Sequence, residues 1–152
     1  MTIKSFRGKM LHNTSDIINL HTNNGSMGYK ITKFQLMDAN PSAASNEFII
    51  KIFTIPQTTI NGEVDFSDNT LLAAGFLVGN TDTRFDVIQT VLFDNMKFNQ
   101  DIYITCFDNQ GNNGACNYYI ELETSKLSLD ENTVATLKDI RNIQSQWVNN
   151  II

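Results

Sequence analysis

This chain is poor in the residues from which reactive centres are built. Its 152 residues include two cysteines, two histidines, two prolines and one tryptophan. With so few soft ligands, and no C-x-x-C spacing, a zinc site is excluded. The sequence contains no G-x-S-x-G, H-E-x-x-H, P-loop or G-x-G-x-x-G, so the common signatures of acyl transfer, metalloproteolysis and nucleotide binding are missing. No apolar run approaches the ~20 residues of a membrane-crossing helix. The opening Met-Thr-Ile-Lys-Ser-Phe-Arg has no apolar core of a signal peptide, which predicts a protein made and kept in a cytoplasm. Basic residues are scarce as well: 11 Lys and Arg stand against 16 Asp and Glu, for a net charge of -5. Their densest group is the short run Lys4, Arg7 and Lys9, too small for a phosphate-binding surface, so no nucleic-acid partner is expected.

What is present is material for one β-rich domain. A chain of this length can bury a sizeable core without a disulfide or a metal. Asn accounts for 19 residues, mostly where turns are expected, because its side chain mimics a backbone turn. Short runs of β-branched and aromatic residues alternate with these turns. They fall at Ile3–Leu11, Asp16–His21, Tyr29–Met37, Glu47–Ile55, Leu71–Val78, Phe85–Phe93, Ile102–Phe107 and Cys116–Leu127. A shift in alternation predicts a bulge near Thr32-Lys33. Glu47–Ile55 is continuously apolar and is expected to be buried on both faces. Asn61-Gly62 is a two-residue turn signal, predicting a hairpin between Thr58–Ile60 and Glu63–Phe66. Leu71–Val78 fits either a strand or a helical turn, and the strand, with a kink at Gly75, is the favoured reading. Asp101–Leu127 reads as a long hairpin around the loop Asn109–Gly114, with Tyr118, Ile120, Leu122 and Thr124 on one face and Tyr119, Glu121 and Glu123 on the other. Eight or nine strands at these intervals predict an antiparallel two-sheet sandwich of jelly-roll type.

At Ser128 the pattern changes. Ser128-Leu129-Asp130-Glu131 has capping-box form, and Val134, Leu137, Ile140 and Trp147 follow at helical spacing. The expected organisation is therefore a β-sandwich over 1–127, an amphipathic helix over 128–148 and a tail over 149–152. The helix face Leu137, Ile140 and Trp147, the tail Ile151-Ile152, and the N-terminal Ile3 and Phe6 are the expected partner-binding residues, on the ground of apolar exposure.

Candidate chemistry is sparse. Cys106 and Cys116 are equidistant from Gly111, so a symmetric hairpin would place them opposite one another. A cross-strand disulfide and two reduced, buried thiols both remain open, the second favoured by a cytoplasm. His12 and His21 flank an expected hairpin between the first two strands, yet a metal there would lack a third ligand. Asp108–Gly114 is rich in oxygen but fails the calcium-loop pattern, having Tyr119 where a bidentate acid is needed. Asp65 and Asp68 form a second acidic pair near a turn. Glu121 and Glu123 lie about 7 Å apart on one strand face, an arrangement common on exposed strands. Tyr118-Tyr119 with Phe85 offers an aromatic platform. No catalytic residue, metal or cofactor is expected from this set.

Four segments carry a resemblance: Gly28–Gln35, Asp94–Ile102, Asn117–Thr124 and Thr133–Asn142. Together they are similar to small virion structural proteins of tailed phages, especially those of marine cyanobacterial hosts. The resemblance implies a non-enzymatic virion component, located in the virion after synthesis in the bacterial host cytoplasm. It points first to a capsid decoration (cement) protein that binds the major capsid protein as a homo-oligomer, with a trimer favoured. A tail, neck or baseplate component is the alternative, and a carbohydrate-binding module is the alternative of another class.

Overall fold

The computed structural model describes residues 2–20, 25–41, 46–79 and 88–128. These residues form eight strands: β1 (Thr2–Leu11), β2 (Thr14–Ile18), β3 (Met27–Asp38), β4 (Asn46–Phe53), β5 (Leu71–Gly79), β6 (Ile88–Phe93), β7 (Ile102–Asp108) and β8 (Ala115–Lys126). They build two antiparallel sheets, a three-stranded one ordered β1-β8-β3 and a five-stranded one ordered β2-β7-β4-β5-β6. The protein is mainly β and sandwich-like. The helix expected from Ser128 onward and the tail at 149–152 lie outside the described residues, apart from Ser128 itself.

The inward positions of both sheets make one core. Period-two alternation puts Ile120 and Leu122 of β8 against Ile50 and Ile52 of β4 and Ile102 and Ile104 of β7, all of them fully buried. Phe34 and Phe48 fill the space between the sheets. The expected bulge is present: Ile31 pairs with Leu122 and Lys33 with Glu121, leaving Thr32 as the extra residue. Gly75 has another role than the expected kink. Its register with Ile50 and Val91 is regular, but a Cβ there would come within 2.7 Å of the Leu36 Cδ1 methyl, so close sheet packing is what favours glycine.

Two expected hairpins are instead crossings between sheets. β7 and β8 do not pair, since β8 runs between β1 and β3 while β7 runs between β2 and β4. The loop between them bends away early. Asn109 N donates to Glu47 O, Gly111 N donates to Asp108 O, and Gly111 and Asn113 take left-handed backbone angles of 69° and 53°. Likewise β1 and β2 belong to different sheets, joined by a tight turn in which Asn13 (φ 61°) donates its N–H to Cys106 O. Alternation shows which residues face inward but not which strand becomes the neighbour, so adjacency in sequence misled in both cases.

The expected Asn61-Gly62 hairpin does not form. Residues 54–70 contain no strand, and successive side-chain turns take up several of their backbone N–H groups. Asn61 Oδ1 accepts from Glu63 N, Asp65 Oδ1 from Ser67 N, and Asp68 Oδ1 from Thr70 N. Thr54 N donates to Thr70 O and closes the segment at its base. Gly62 rests on Ile49, 3.0 Å from the Ile49 Cδ1 methyl at its missing Cβ, and Lys51 Nζ donates to Asn61 Oδ1 and Glu63 O at 3.1 and 2.6 Å. This segment therefore covers the outer face of β4, which explains why β4 is buried on both faces as its sequence implies.

Candidate functional site

With 54–70 over β4, the two outer faces of the sandwich differ. The outer face of the β1-β8-β3 sheet is made of rows fixed by register. Lys9, Asn117 and Met37 form one row, Arg7, Tyr119 and Gln35 the next, then Ser5, Glu121 and Lys33, then Ile3, Glu123 and Lys30. These three strands hold six of the chain's eleven Lys and Arg residues but only three of its sixteen acids, so an acidic protein carries a locally basic sheet.

A groove of about 550 Å³ opens on the first two rows, lined by Arg7, Lys9, Gln35, Met37, Asn117 and Tyr119, with Gly8, Leu36 and Tyr118 beneath. Beneath it, Gly8 leaves room on the core side for the Tyr118 ring, which a Cβ there would meet at 2.9–3.1 Å. The Tyr119 ring is held in place: its hydroxyl donates to Glu121 Oε1 at 2.8 Å, Ser5 is a second partner, and Lys33 Nζ lies 5.8 Å from the ring centroid. The bond to Glu121, then desolvation, push the Tyr119 phenol above its ordinary range. The acids of this face sit opposite cations, Glu121 beside Lys33 and Glu123 beside Lys30. Arg7 and Lys9 sit opposite Tyr119 and Asn117, with no acid in register.

A second concavity, about 460 Å³, lies on the other sheet. It is lined by Phe66, Leu72, Ala74, Leu92 and Met96, with Phe66 70% and Leu92 54% exposed. Phe66 belongs to the segment misread as a hairpin strand, so its exposure was invisible in the sequence.

Of the expected partner-binding residues, Ile3 is 52% exposed at one end of the basic sheet, whereas Phe6 points inward and packs on the core. Leu137, Ile140, Trp147, Ile151 and Ile152 lie outside the described residues, as do His21 and Phe85. Met37, 64% exposed, and Leu11 extend the apolar fringe beyond what the sequence suggested.

Cys106 and Cys116 are free thiols, buried in the core. They come from strands of different sheets, so they approach across the sandwich and not side by side along a hairpin. Cys106 Sγ lies 3.9 Å from Met10 O, and Cys116 Sγ lies 3.5 Å from Asn117 O and 3.7 Å from Met37 O. Burial, with Asp108 nearby, pushes the Cys106 thiol up to about 12. Burial also raises the Cys116 thiol, with Cys106 and Asp38 adding to it. Neither is a nucleophile near neutrality.

The remaining candidates have structural tasks. His12 Nδ1 accepts the Asp108 backbone N–H at 2.8 Å and its ring packs on Phe107. Asp108 Oδ1 accepts from Glu47 N and Gln110 N, which ties β7 to β4. Asp65 and Asp68 cap turns, and the bonds from Ser67 hold the Asp65 carboxyl below its ordinary range. Tyr118 is core, with its phenol raised by burial and by Asp16. Among the described residues no group of three His, Cys, Asp or Glu side chains is placed to hold a metal, and no helix is long and apolar enough to cross a membrane. No protein-family model matches the sequence, and a comparison with curated proteins finds no match.

Proposed function

We propose that this protein is a phage virion structural component, a capsid decoration protein that bridges neighbouring shell subunits. The observation that carries the reading is that large apolar side chains stand exposed on opposite sides of one sandwich: Leu11 and Met37 at one end of the three-stranded face with Ile3 at its other end, and Phe66 and Leu92 on the other sheet. A protein that cements a lattice has to touch more than one neighbour, and exposed apolar patches are where such contacts form. β1 and β3 are also long edge strands, 10 and 12 residues, whose outer edges, apart from Tyr29 paired with Phe98, offer backbone groups to a partner.

Strand pairing supports a jelly-roll ancestry for this module. A jelly roll folds an antiparallel ribbon over, pairing first strand with eighth, second with seventh, third with sixth and fourth with fifth. Here β1 pairs with β8, β2 with β7 and β4 with β5, while β6 adds to β5 in place of β3. In this reading the chain binds the major capsid protein as a homo-oligomer, a trimer, and contributes stability by mass action because it binds only the assembled lattice. Its residence is the virion.

Copy number in purified virions, by quantitative mass spectrometry against the major capsid protein, tests the proposal. Copies in a simple ratio to the shell protein are expected. A handful per particle would move the protein to tail, neck or baseplate, and absence from particles would overturn the virion reading. Replacing Trp147 with Glu is expected to weaken shell binding while the isolated sandwich stays folded. Unchanged occupancy would remove the C-terminal stripe from the interface.

A further inference from the structure

The geometry points to the Arg7–Lys9–Tyr119 groove as a binding site for an acidic carbohydrate, a uronate-containing polysaccharide. The argument starts from hydrogen-bonding capacity. Gln35 and Asn117 present side-chain amides, and Lys9 an ammonium, that make no hydrogen bond among the described residues and line one concavity. An amide both donates and accepts, which is the complement of a hydroxyl, itself donor and acceptor. Two amides beside a fixed ring, Gln35 level with it on β3 and Asn117 two residues before it on β8, therefore suit a polyhydroxylated ligand better than a purely apolar one.

The ring supplies the second element. Tyr119 is anchored through its hydroxyl to Glu121, so its orientation is set before any ligand arrives, and the C–H face of a pyranose can pack on it at little entropic cost. Charge supplies the third. Arg7 and Lys9 are two residues apart on one strand face, about 7 Å, and have no acid in register. Carboxylates spaced along a uronate chain would meet an Arg fork and a Lys point charge in succession. Glu121 and Glu123, further along the same face, would repel the acid, which limits it to the Arg7–Lys9 end. The inference stands apart from the virion reading, since it rests on the groove alone.

The test is titration of the full chain with a short oligogalacturonate, followed by calorimetry and by amide shifts in NMR spectra. Binding is expected, with shifts centred on Arg7, Lys9, Gln35, Asn117 and Tyr119. Arg7→Gln and Lys9→Gln should each weaken it about tenfold, as for a lost charge-assisted hydrogen bond. Tyr119→Phe, which keeps the ring but loses its anchor to Glu121, should weaken binding modestly, and Tyr119→Leu should lose most of it. Lys126→Gln, on the same sheet beyond the groove, should change nothing. Arg7 and Lys9 are exposed, so their variants are expected to fold, and circular dichroism checks this. The proposal fails if no binding is seen, or if binding ignores Arg7→Gln and Lys9→Gln. It also fails if the neutral oligogalactose binds as tightly, or if oligoglutamate of equal length does, since the groove would then read charge alone.

Discussion

The two core thiols predict a measurable loss of stability in mild alkali. In the unfolded chain each cysteine titrates near 9, whereas burial holds Cys106 up to about 12 and raises Cys116 as well. Both folded pKa values lie above their unfolded ones. Between pH 9 and about 12 the unfolded chain therefore binds fewer protons than the native one, and stability falls as pH rises through that window. Each thiol removes about 1.4 kcal/mol per pH unit once the unfolded form is deprotonated, so by pH 10 the pair should cost roughly 2–3 kcal/mol. That is a large part of a typical stability of about 5–15 kcal/mol. The assay is equilibrium urea unfolding at pH 8, 9 and 10, under reducing conditions, for the wild type and for Cys106→Ala with Cys116→Ala. The window stops at 10 because the buried phenols of Tyr29 and Tyr118, both raised by burial, add a slope of the same sign above it. The double variant should lose most of the decline, keeping only the small share of the phenols near pH 10. A flat wild-type profile, or a decline undiminished in the double variant, would refute the placement of two free thiols in the core.

Other outcomes follow from the packing. Leu122→Ala, at a fully buried position in the central strand β8, should cost about 2–5 kcal/mol in urea unfolding, and a cost under about 1 kcal/mol would contradict the core described. Gly75→Val should destabilise by about 1–3 kcal/mol through collision with Leu36 and Phe34, with part of the loss recovered when Leu36→Ala is added; additive losses would mean the two sites do not touch. Lys51→Met removes the tether to Asn61 and Glu63, so limited proteolysis should cleave within 54–70 faster than in the wild type. Desolvation lowers the Lys51 pKa below that of an unfolded lysine, partly offset by Glu63 and Asp68. Between the two values the unfolded chain binds the extra proton, and this residue makes stability rise with pH, opposite in sign to the thiols. A steeper alkaline decline in Lys51→Met would show it.

Much of the strand pattern was legible because burial writes itself into period two. The β8 alternation, the doubly buried β4 and the bulge at Thr32 could all be read from residue order. The groove was not legible in the same way. Tyr119 was recognised as outward-facing, but Arg7 and Lys9 looked like a short terminal run until β1 was laid beside β8. Gln35 and Asn117 carried no sequence signal at all, since an amide on a strand face is ordinary. The acidic overall charge also hid a basic sheet, because net charge carries no information about where charges gather.

Residue order alone fixed the class: antiparallel strands of this length and spacing, one apolar face each, and turns written in Asn, Asp and Gly. It also set the inward position of both cysteines. Which strands became neighbours was decided only in three dimensions. The choice between a hairpin and a crossing turns on how a few loop residues satisfy their backbone groups, Asn109 reaching to Glu47 and Asn13 to Cys106. It depends equally on which pairing closes one core between two sheets. That choice put two thiols face to face across the sandwich, laid 54–70 over β4, and left the β1-β8-β3 face open with its cations and its fixed tyrosine.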